Sequence, residues 1–420
     1  MGTTAILQLS GGVTLLCLIG IAIRAYTAFR ADQERSREDR DRGRSGLRAR
    51  LVLASQSRPI QNPTPESAWV GWRKFEVSGI VEECDDVRSI YLTPHDGMPL
   101  TTFLPGQFLT IRVGMSEMVQ PLVRCYSLSD YAPGEDYYRV SIKRIRESES
   151  TPPGRMSTYL HERVRVGNVL DVRAPGGHFF LNLAESAPVV LIAGGVGVTP
   201  ILSMLQAVVK SAPQRRVTVL LTFQSPQQHP FIEETLRVLE GHDVHVDVIT
   251  FYSRAREREG DQRLKIRYQR LSLQGIQEFS DRNLDMFYLC GPSAMMKDLG
   301  GGLKDWGVSA ERLHMEAFGP ASLPGSAPST PDVPLTGFDV KFKRSGKTAR
   351  FDSRFETLLD LAESEGLSIP SGCRAGNCGT CAVDLLEGQV THKGSPAASL
   401  EPDSCLACVA VPTSRIVIDV

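Results

Sequence analysis

The chain has 420 residues, too many for one ordinary domain, and its 41% hydrophobic and 23% charged residues are the proportions of globular protein. A formal net charge of −1 leaves no basic surplus and excludes nucleic acid as a general partner. Its nine cysteines, one tight group and the rest scattered, form no disulfide framework and fit a reducing compartment.

In chain order, the uncharged stretch Ala5–Ile23 is long enough to cross a hydrocarbon core as a helix. Arginines crowd its C-terminal side, from Arg24 and Arg30 to Arg48 and Arg50, and no charged side chain precedes it. The positive-inside rule then expects a single-pass membrane anchor over residues 1–29, with the catalytic domains facing the cytoplasm. Gln8, Ser10, Gly11, Gly12 and Thr14 keep open the alternative of an apolar terminus that does not span. Residues 30–65 turn to mixed charge and then to Ser, Pro, Gln and Asn, the composition of a solvated linker.

Short strands are expected at Phe75–Glu82, Ser89–Thr93, Gln107–Val113, Val123–Ser127 and Arg139–Lys143, followed by a helix at Ser157–Val164. Strands at this spacing, with turn residues between them, imply an antiparallel β-barrel over residues 66–184. From 185 to 320 the texture changes. Val189–Ala193, Val217–Phe223, Val244–Thr250 and Met286–Cys290 read as strands, with helices at Thr199–Val209 and Phe231–Leu239. That alternation implies an α/β domain on a parallel sheet. Residues 321–334, rich in Pro, Ser and Ala, form a linker, and 335–420 a last α+β domain.

Within the barrel stretch, Arg124-Cys125-Tyr126-Ser127 ends a strand and offers a forked cation, an aromatic face and a hydroxyl. Gly154-Arg155-Met156-Ser157 opens the short helix, where free N–H groups favour an anion, and Ser157 also reads as a plain N-cap. Gly194-Gly195-Val196-Gly197-Val198-Thr199-Pro200 follows an apolar strand and precedes a helix, so its glycines let a pyrophosphate approach the backbone. Thr199 and Pro200 are expected as cap and first helical residue. The loop lacks the third glycine of the dinucleotide fingerprint, and no acidic residue ends the next strand.

Taken together these motifs resemble the ferredoxin–NADP reductase superfamily, whose flavin barrel carries R-x-Y-S and then G-x-x-S. The resemblance implies that Arg124 and Ser157, with Gly154 and Met156 beside it, hold the flavin phosphates. Tyr126 would pack on the isoalloxazine ring and Ser127 approach its N5, with Lys143, and Arg144 beside it, near the flavin. Ala174–Leu181 is similar to the form in FAD-binding members, so FAD is the expected flavin, with FMN open. Gly194, Gly195, Gly197, Thr199 and Pro200 match the nicotinamide nucleotide loop. Cys290-Gly291-Pro292 matches the motif that places a cysteine beside the nicotinamide. His314–Pro320 resembles the terminal motif of flavohaemoglobin reductase modules and puts Glu316 and Phe318 near the flavin ring. By this reading Ser127, Cys290 and Glu316 are the catalytic residues. The loop Gln224–Gln228 offers no cation for a 2′-phosphate, whereas Arg254 and Arg256 follow another strand. NADH is favoured on that ground and NADPH stays open.

The last domain carries Cys373, Cys378 and Cys381 at C-x4-C-x2-C spacing with Gly372, Gly376 and Gly379 interleaved. That is the plant-type spacing for a 2Fe–2S cluster, with a fourth thiolate downstream. A zinc site or buried core cysteines are the alternatives, although no second pair of ligands at zinc spacing exists. Only Cys405 and Cys408 follow Cys381. The resemblance to plant-type ferredoxins, which implies a β-grasp-like fold, aligns the fourth ligand with Cys408 and leaves Cys405 as a buried bystander.

The implied activity is an electron relay from NAD(P)H through flavin and a 2Fe–2S cluster to a separate one-electron acceptor such as an oxygenase, desaturase or cytochrome P450. Two alternatives are a non-catalytic membrane redox sensor and a quinone reductase subunit. The known subunit of the second kind carries its ferredoxin before its flavin domain, the reverse of this chain.

Overall fold

A computed structural model describes residues 69, 71–114, 121–147, 153–239, 245–257, 259–318, 337–367, 369–371, 376, 379, 381–393, 400 and 403–420, with the backbone alone at 317 and 318. Among the described residues no helix is long and apolar enough to cross a membrane. The expected anchor at 1–29 and both linkers lie outside the described residues.

The barrel comprises β1 (Arg73–Cys84), β2 (Val87–Pro94), β3 (Phe108–Val113), β4 (Leu122–Ser127), β5 (Tyr138–Lys143), helix α1 (Arg155–Glu162) and β6 (Val169–Val172). These strands form one antiparallel sheet in the order β4-β3-β6-β1-β2-β5. Its two edges meet at the Leu128–Val140 bridge and at Ser129 N–H donating to Arg139 O, which curls the sheet back on itself. Alternation does the sorting: Phe75 and Val77 of β1 both enter the core, and a bulge after Val77 shifts the phase so that Ile80 packs against it. Phe75 is wholly buried, and its loss to Ala would cost about 3–5 kcal/mol.

The second domain comprises β7 (Val189–Gly194), α2 (Val198–Ser211), β8 (Val217–Phe223), α3 (Ile232–Leu239), β9 (Val246–Tyr252), β10 (Lys265–Arg267), α4 (Leu273–Gln277), β11 (Met286–Pro292), α5 (Ser293–Asp305) and β12 (Leu313–Phe318). All six strands run parallel in the order β10-β9-β8-β7-β11-β12. Every residue of β7 is buried, as expected of a strand covered on both faces. The chain builds outward from β7 to β10 on one side, then returns to β11 and β12 on the other. The switch point therefore lies between β7 and β11, where open α/β sheets take their ligands.

The C-terminal domain pairs β13 (Phe338–Phe342), β14 (Thr348–Phe351), β15 (Ala382–Glu387), β17 (Ser404–Leu406) and β19 (Ile416–Ile418) in a mixed sheet ordered β14-β13-β19-β15-β17. Helix α6 (Leu358–Ser364) buries Leu358, Leu359, Leu361 and Ala362 in this domain's core, and β16 (Val390–His392) pairs with β18 (Ala410–Pro412). The side chain of Thr357 caps α6 by accepting from Asp360 N–H at 3.3 Å.

Three expectations need correction. Helix α1 begins at Arg155 with Gly154 as its cap, so Ser157 lies inside the first turn and is no N-cap. Its Oγ instead donates to Gly154 O at 3.0 Å and accepts from Ile145 N–H at 3.2 Å. Helix α2 likewise starts at Val198, capped by Gly197 after a 3₁₀ turn at Gly195–Gly197, which moves Thr199 and Pro200 two positions further into the helix than expected. Proline is tolerated there because first-turn N–H groups have no partner within the helix. Strand β6 was not expected at all: four residues with a single clear alternation carry too little pattern to stand out.

Candidate functional site

At the end of β4, Arg124 is exposed and donates to Val123 O at 2.7 Å, which leaves most of its guanidinium open to solvent. The Tyr126 phenol is pushed above its usual range, first by burial. Ser127 is almost wholly buried, yet its Oγ has no hydrogen-bond partner among the described residues. Buried polar atoms are ordinarily hydrogen-bonded, so the hydroxyl is free to take a partner. Met156 is buried behind the first turn of α1, next to the Gly154–Ser157 hydrogen bond. Lys143 and Arg144 are engaged within the protein, with Asp86 at 3.2 Å and with Glu162 respectively.

The switch point gathers the second group. The 3₁₀ turn Gly195–Gly197 leaves β7, and Cys290-Gly291-Pro292 ends the neighbouring β11. A Cβ on Gly197 would lie 2.3 Å from Cys290 O, so only glycine allows the two strand ends to close up. Gly195 has φ +54° and nothing within 4 Å of its own Cβ position, so its bare face opens outward. Gly194 and Gly291 pack under the Met295 sulfur instead. Thr199 Oγ1 donates to Val196 O at 3.0 Å and stiffens the turn. Strand β5 of the barrel approaches this same turn.

Cys290 and Glu316 are register partners on β11 and β12. Burial pushes the Cys290 thiol up, and the Glu316 carboxyl adds to that. Glu316 is itself raised to about 8 by burial, and its Oε2 has no partner among the described residues. Burial thus favours the protonated, uncharged form of both groups. His314, two residues before Glu316, also holds a buried Nε2 without a partner among the described residues and stacks on Tyr288 at 4.5 Å. Sequence reasoning passed over His314 as an individual residue, and only the packing singles it out. The side chain of Phe318 lies outside the described residues.

In the C-terminal domain, Cys381 Sγ and Cys408 Sγ lie 3.0 Å apart in a buried setting. Ala407 N–H donates to Cys381 O at 3.0 Å and ties the two segments together. Gly376 and Gly379 have φ of +75° and +67°, the left-handed turns that a tightly curled thiolate loop needs. Cys405 sits on β17 opposite Val383, wholly buried, with its thiol pushed up to about 12 by burial. Cys373 and Cys378 lie outside the described residues.

Comparison with known proteins agrees with this layout. Residues 74–181 match an oxidoreductase FAD-binding domain, 191–300 an oxidoreductase NAD-binding domain, and 341–413 a 2Fe-2S iron-sulfur cluster binding domain. A Bacillus cereus flavohemoprotein is 37% identical over 257 residues, covering 61% of this chain and 63% of the relative. The chain thus spans under two thirds of the length of the curated relatives it matches. The flavohem-like FAD/NAD-binding domain of a Vibrio cholerae nitric oxide dioxygenase is 31% identical, with a TM-score of 0.51, covering 59% of this chain and 98% of that one. Phthalate dioxygenase reductase, a modular structure for electron transfer from pyridine nucleotides to 2Fe–2S, shares the fold at 24% identity and a TM-score of 0.52. That match covers 85% of this chain and 100% of the other. The antiparallel sheet, the parallel sheet and the cysteine-bearing domain are thereby accounted for in order: the chain belongs to the oxidoreductases built on paired FAD- and NAD-binding domains, and it carries a 2Fe–2S cluster domain after them.

Proposed function

We propose that this protein is an NAD(P)H-dependent reductase that passes electrons through FAD and a 2Fe–2S cluster to a separate acceptor protein. The observation that carries this reading is the union of the three domains on one chain in this order. A bound flavin accepts two electrons as a hydride and releases them singly, which reconciles a two-electron donor with a one-electron cluster.

The side chains fit these groups. Arg124 and the first turn of α1, with Gly154, Met156 and Ser157, would hold the flavin phosphates, and Tyr126 would cover the ring. Ser127 Oγ, lacking a partner among the described residues, would be available to hydrogen-bond the ring at N5. Gly194, Gly195, Gly197, Thr199 and Pro200 would cradle the nucleotide pyrophosphate at the switch point, with Cys290, Gly291 and Pro292 beside the nicotinamide. Glu316, held neutral, would bring no negative charge to the site and would keep a proton within reach of the flavin. Cys373, Cys378, Cys381 and Cys408 would hold the cluster, for which the Cys381–Cys408 approach is the supporting geometry.

The acceptor is read as an oxygenase, desaturase or cytochrome P450. Residues 1–29 are read as a membrane anchor that would keep the catalytic domains on the cytoplasmic side. Purified protein should show flavin and iron–sulfur absorbance and bleach on addition of NADH or NADPH. In Cys378→Ser, flavin reduction should persist while delivery to a one-electron acceptor collapses. A protein with neither absorbance, or a variant that delivers electrons normally, refutes the relay. Deleting residues 1–30 should move the protein from the membrane to the soluble fraction, and an unchanged distribution refutes the anchor.

A further inference from the structure

A deeply buried ion pair joins the barrel to the nucleotide domain. Arg139 on β5 is 1% exposed and meets Glu234 on α3 in a bidentate pair, Nη1 to Oε2 at 2.8 Å and Nη2 to Oε1 at 3.0 Å. Gln206 on α2 donates to the same carboxylate at 2.6 Å, while its own Oε1 accepts from Tyr131 N–H at 2.7 Å. On the barrel side, Arg139 Nε donates to Ser129 Oγ at 3.1 Å and Nη2 to Ser129 O. Lys210, one turn beyond Gln206, donates to Tyr131 O at 2.7 Å.

Two features make this network more than packing. First, its anchor points are connected to the sites. Ser129 and Tyr131 lie just beyond Ser127, and Gln206 stands on the helix that starts at the nucleotide loop. Second, Phe231, which leads into α3, adopts φ +64°, a conformation a bulky residue rarely holds. Its ring lies buried beneath the Arg139 guanidinium, whose carbon is 5.2 Å from the ring centroid. Strain of that kind persists only where the surroundings over-determine it. Stability alone does not account for such a pair, because buried ion pairs are often matched or bettered by apolar residues of similar size.

We infer that Arg139, Glu234 and Gln206 form a bolt between the barrel and the nucleotide domain that fixes the approach of the two ring sites, making them positioning residues for hydride transfer. The inference rests on the reductase reading. The step it serves breaks the C4–H bond of the dihydronicotinamide, and both electrons of that bond travel with the hydrogen to the flavin. The nicotinamide is oxidised and the flavin reduced.

The test uses the full-length, FAD-loaded protein and the volume-conserving double variant Arg139→Met/Glu234→Leu. Melting temperature, FAD content and the dissociation constant for oxidised NAD should stay within about two-fold of wild type. Flavin reduction at saturating NADH or NADPH should slow about 10–100-fold, since a misplacement on the scale of 1 Å carries that penalty. Amide exchange around 129–131 and 231–236 should rise with the rest of both sheets unchanged. Should the double variant fold poorly, Gln206→Met and Arg139→Lys apply the same test, because lysine keeps the charge but not the bidentate fork. A folded variant with wild-type reduction rate and exchange overturns the inference, as does a parallel loss of FAD, nucleotide affinity and rate. If wild type itself is not reduced by either nucleotide, the reductase reading fails, while the exchange comparison still decides whether the bolt locks the domains.

Discussion

Gly195 and Gly197 stand two residues apart in the same turn, and the structure assigns them opposite roles. In Gly197→Ala the new methyl would lie 2.3 Å from Cys290 O, 2.6 Å from Cys290 C and 2.8 Å from Gly291 N, all backbone atoms of a neighbouring strand. Relief requires β7 and β11 to separate at the centre of the sheet, so the overpacking cost of about 1–3 kcal/mol should fall at its upper end. In Gly195→Ala nothing lies within 4 Å of the methyl, and the cost is that of a left-handed residue, about 1–2 kcal/mol. That same open face is where a pyrophosphate would rest, so affinity should fall at least ten-fold, about 1.4 kcal/mol. Denaturant unfolding gives the stabilities, and titration with oxidised NAD and NADH gives the affinities. Gly197→Ala should unfold earlier, and Gly195→Ala should lose nucleotide out of proportion to its stability. Wild-type affinity in Gly195→Ala, together with undiminished stability in Gly197→Ala, refutes the steric reasoning for the loop.

Cys408→Ser should abolish the visible iron–sulfur spectrum and the bound iron, whereas Cys405→Ser should retain both, because the 3.0 Å approach to Cys381 belongs to Cys408. The reverse pattern exchanges their roles. For Glu316, a carboxyl raised from 4.5 to about 8 means that the native state holds a proton the unfolded chain releases. Stability of the flavin-free protein should therefore fall as pH rises from about 4.5 to 8 and be level in this respect outside that window. The full linkage is about 1.36 kcal/mol per unit, and partial exposure of Glu316 reduces the total to the order of 2–3 kcal/mol. Glu316→Gln should flatten that slope, and an unchanged slope assigns it to another group.

The strands of the two larger domains were readable because their patterns are long. The expected Val217–Phe223 coincides with β8, and most other boundaries fall within a residue or two. Glycine loops and cysteine spacing were equally plain, since chemistry there dictates residue type. What the sequence hid is of another kind. Strand β12 looks like a motif and not a strand until β11 supplies its parallel partner. Arg139 reads as one more polar residue in a strand, for its partner Glu234 is 95 positions away and on the other domain. Nothing local announces that either charge is buried. The unsatisfied Nε2 of His314 is similarly invisible, because the burial of a single atom depends on neighbours distant in sequence, Tyr288 among them.

Two of the unsatisfied buried atoms among the described residues fall on motifs expected to face the flavin. Native interiors leave few polar atoms without partners, because each costs about 1–3 kcal/mol when nothing replaces water. Here Ser127 Oγ at the end of β4 and Glu316 Oε2 on β12 are both orphaned. In contrast, the Arg139 network buries a full ion pair and gives it hydrogen bonds from Gln206 and to Ser129. The described residues hold other such atoms, Ser203 Oγ, Thr250 Oγ1 and His229 Nε2 among them, so what distinguishes Ser127 and Glu316 is that they lie on the two sequence motifs expected to face the flavin. A ligand that accepts from Ser127 and shields Glu316 would remove both deficits, so FAD binding should add stability beyond the area it covers. Ser127→Ala should accordingly narrow the gap in melting temperature between FAD-free and FAD-loaded protein, by raising the first more than the second. An equal shift in both forms would place the serine outside the flavin site.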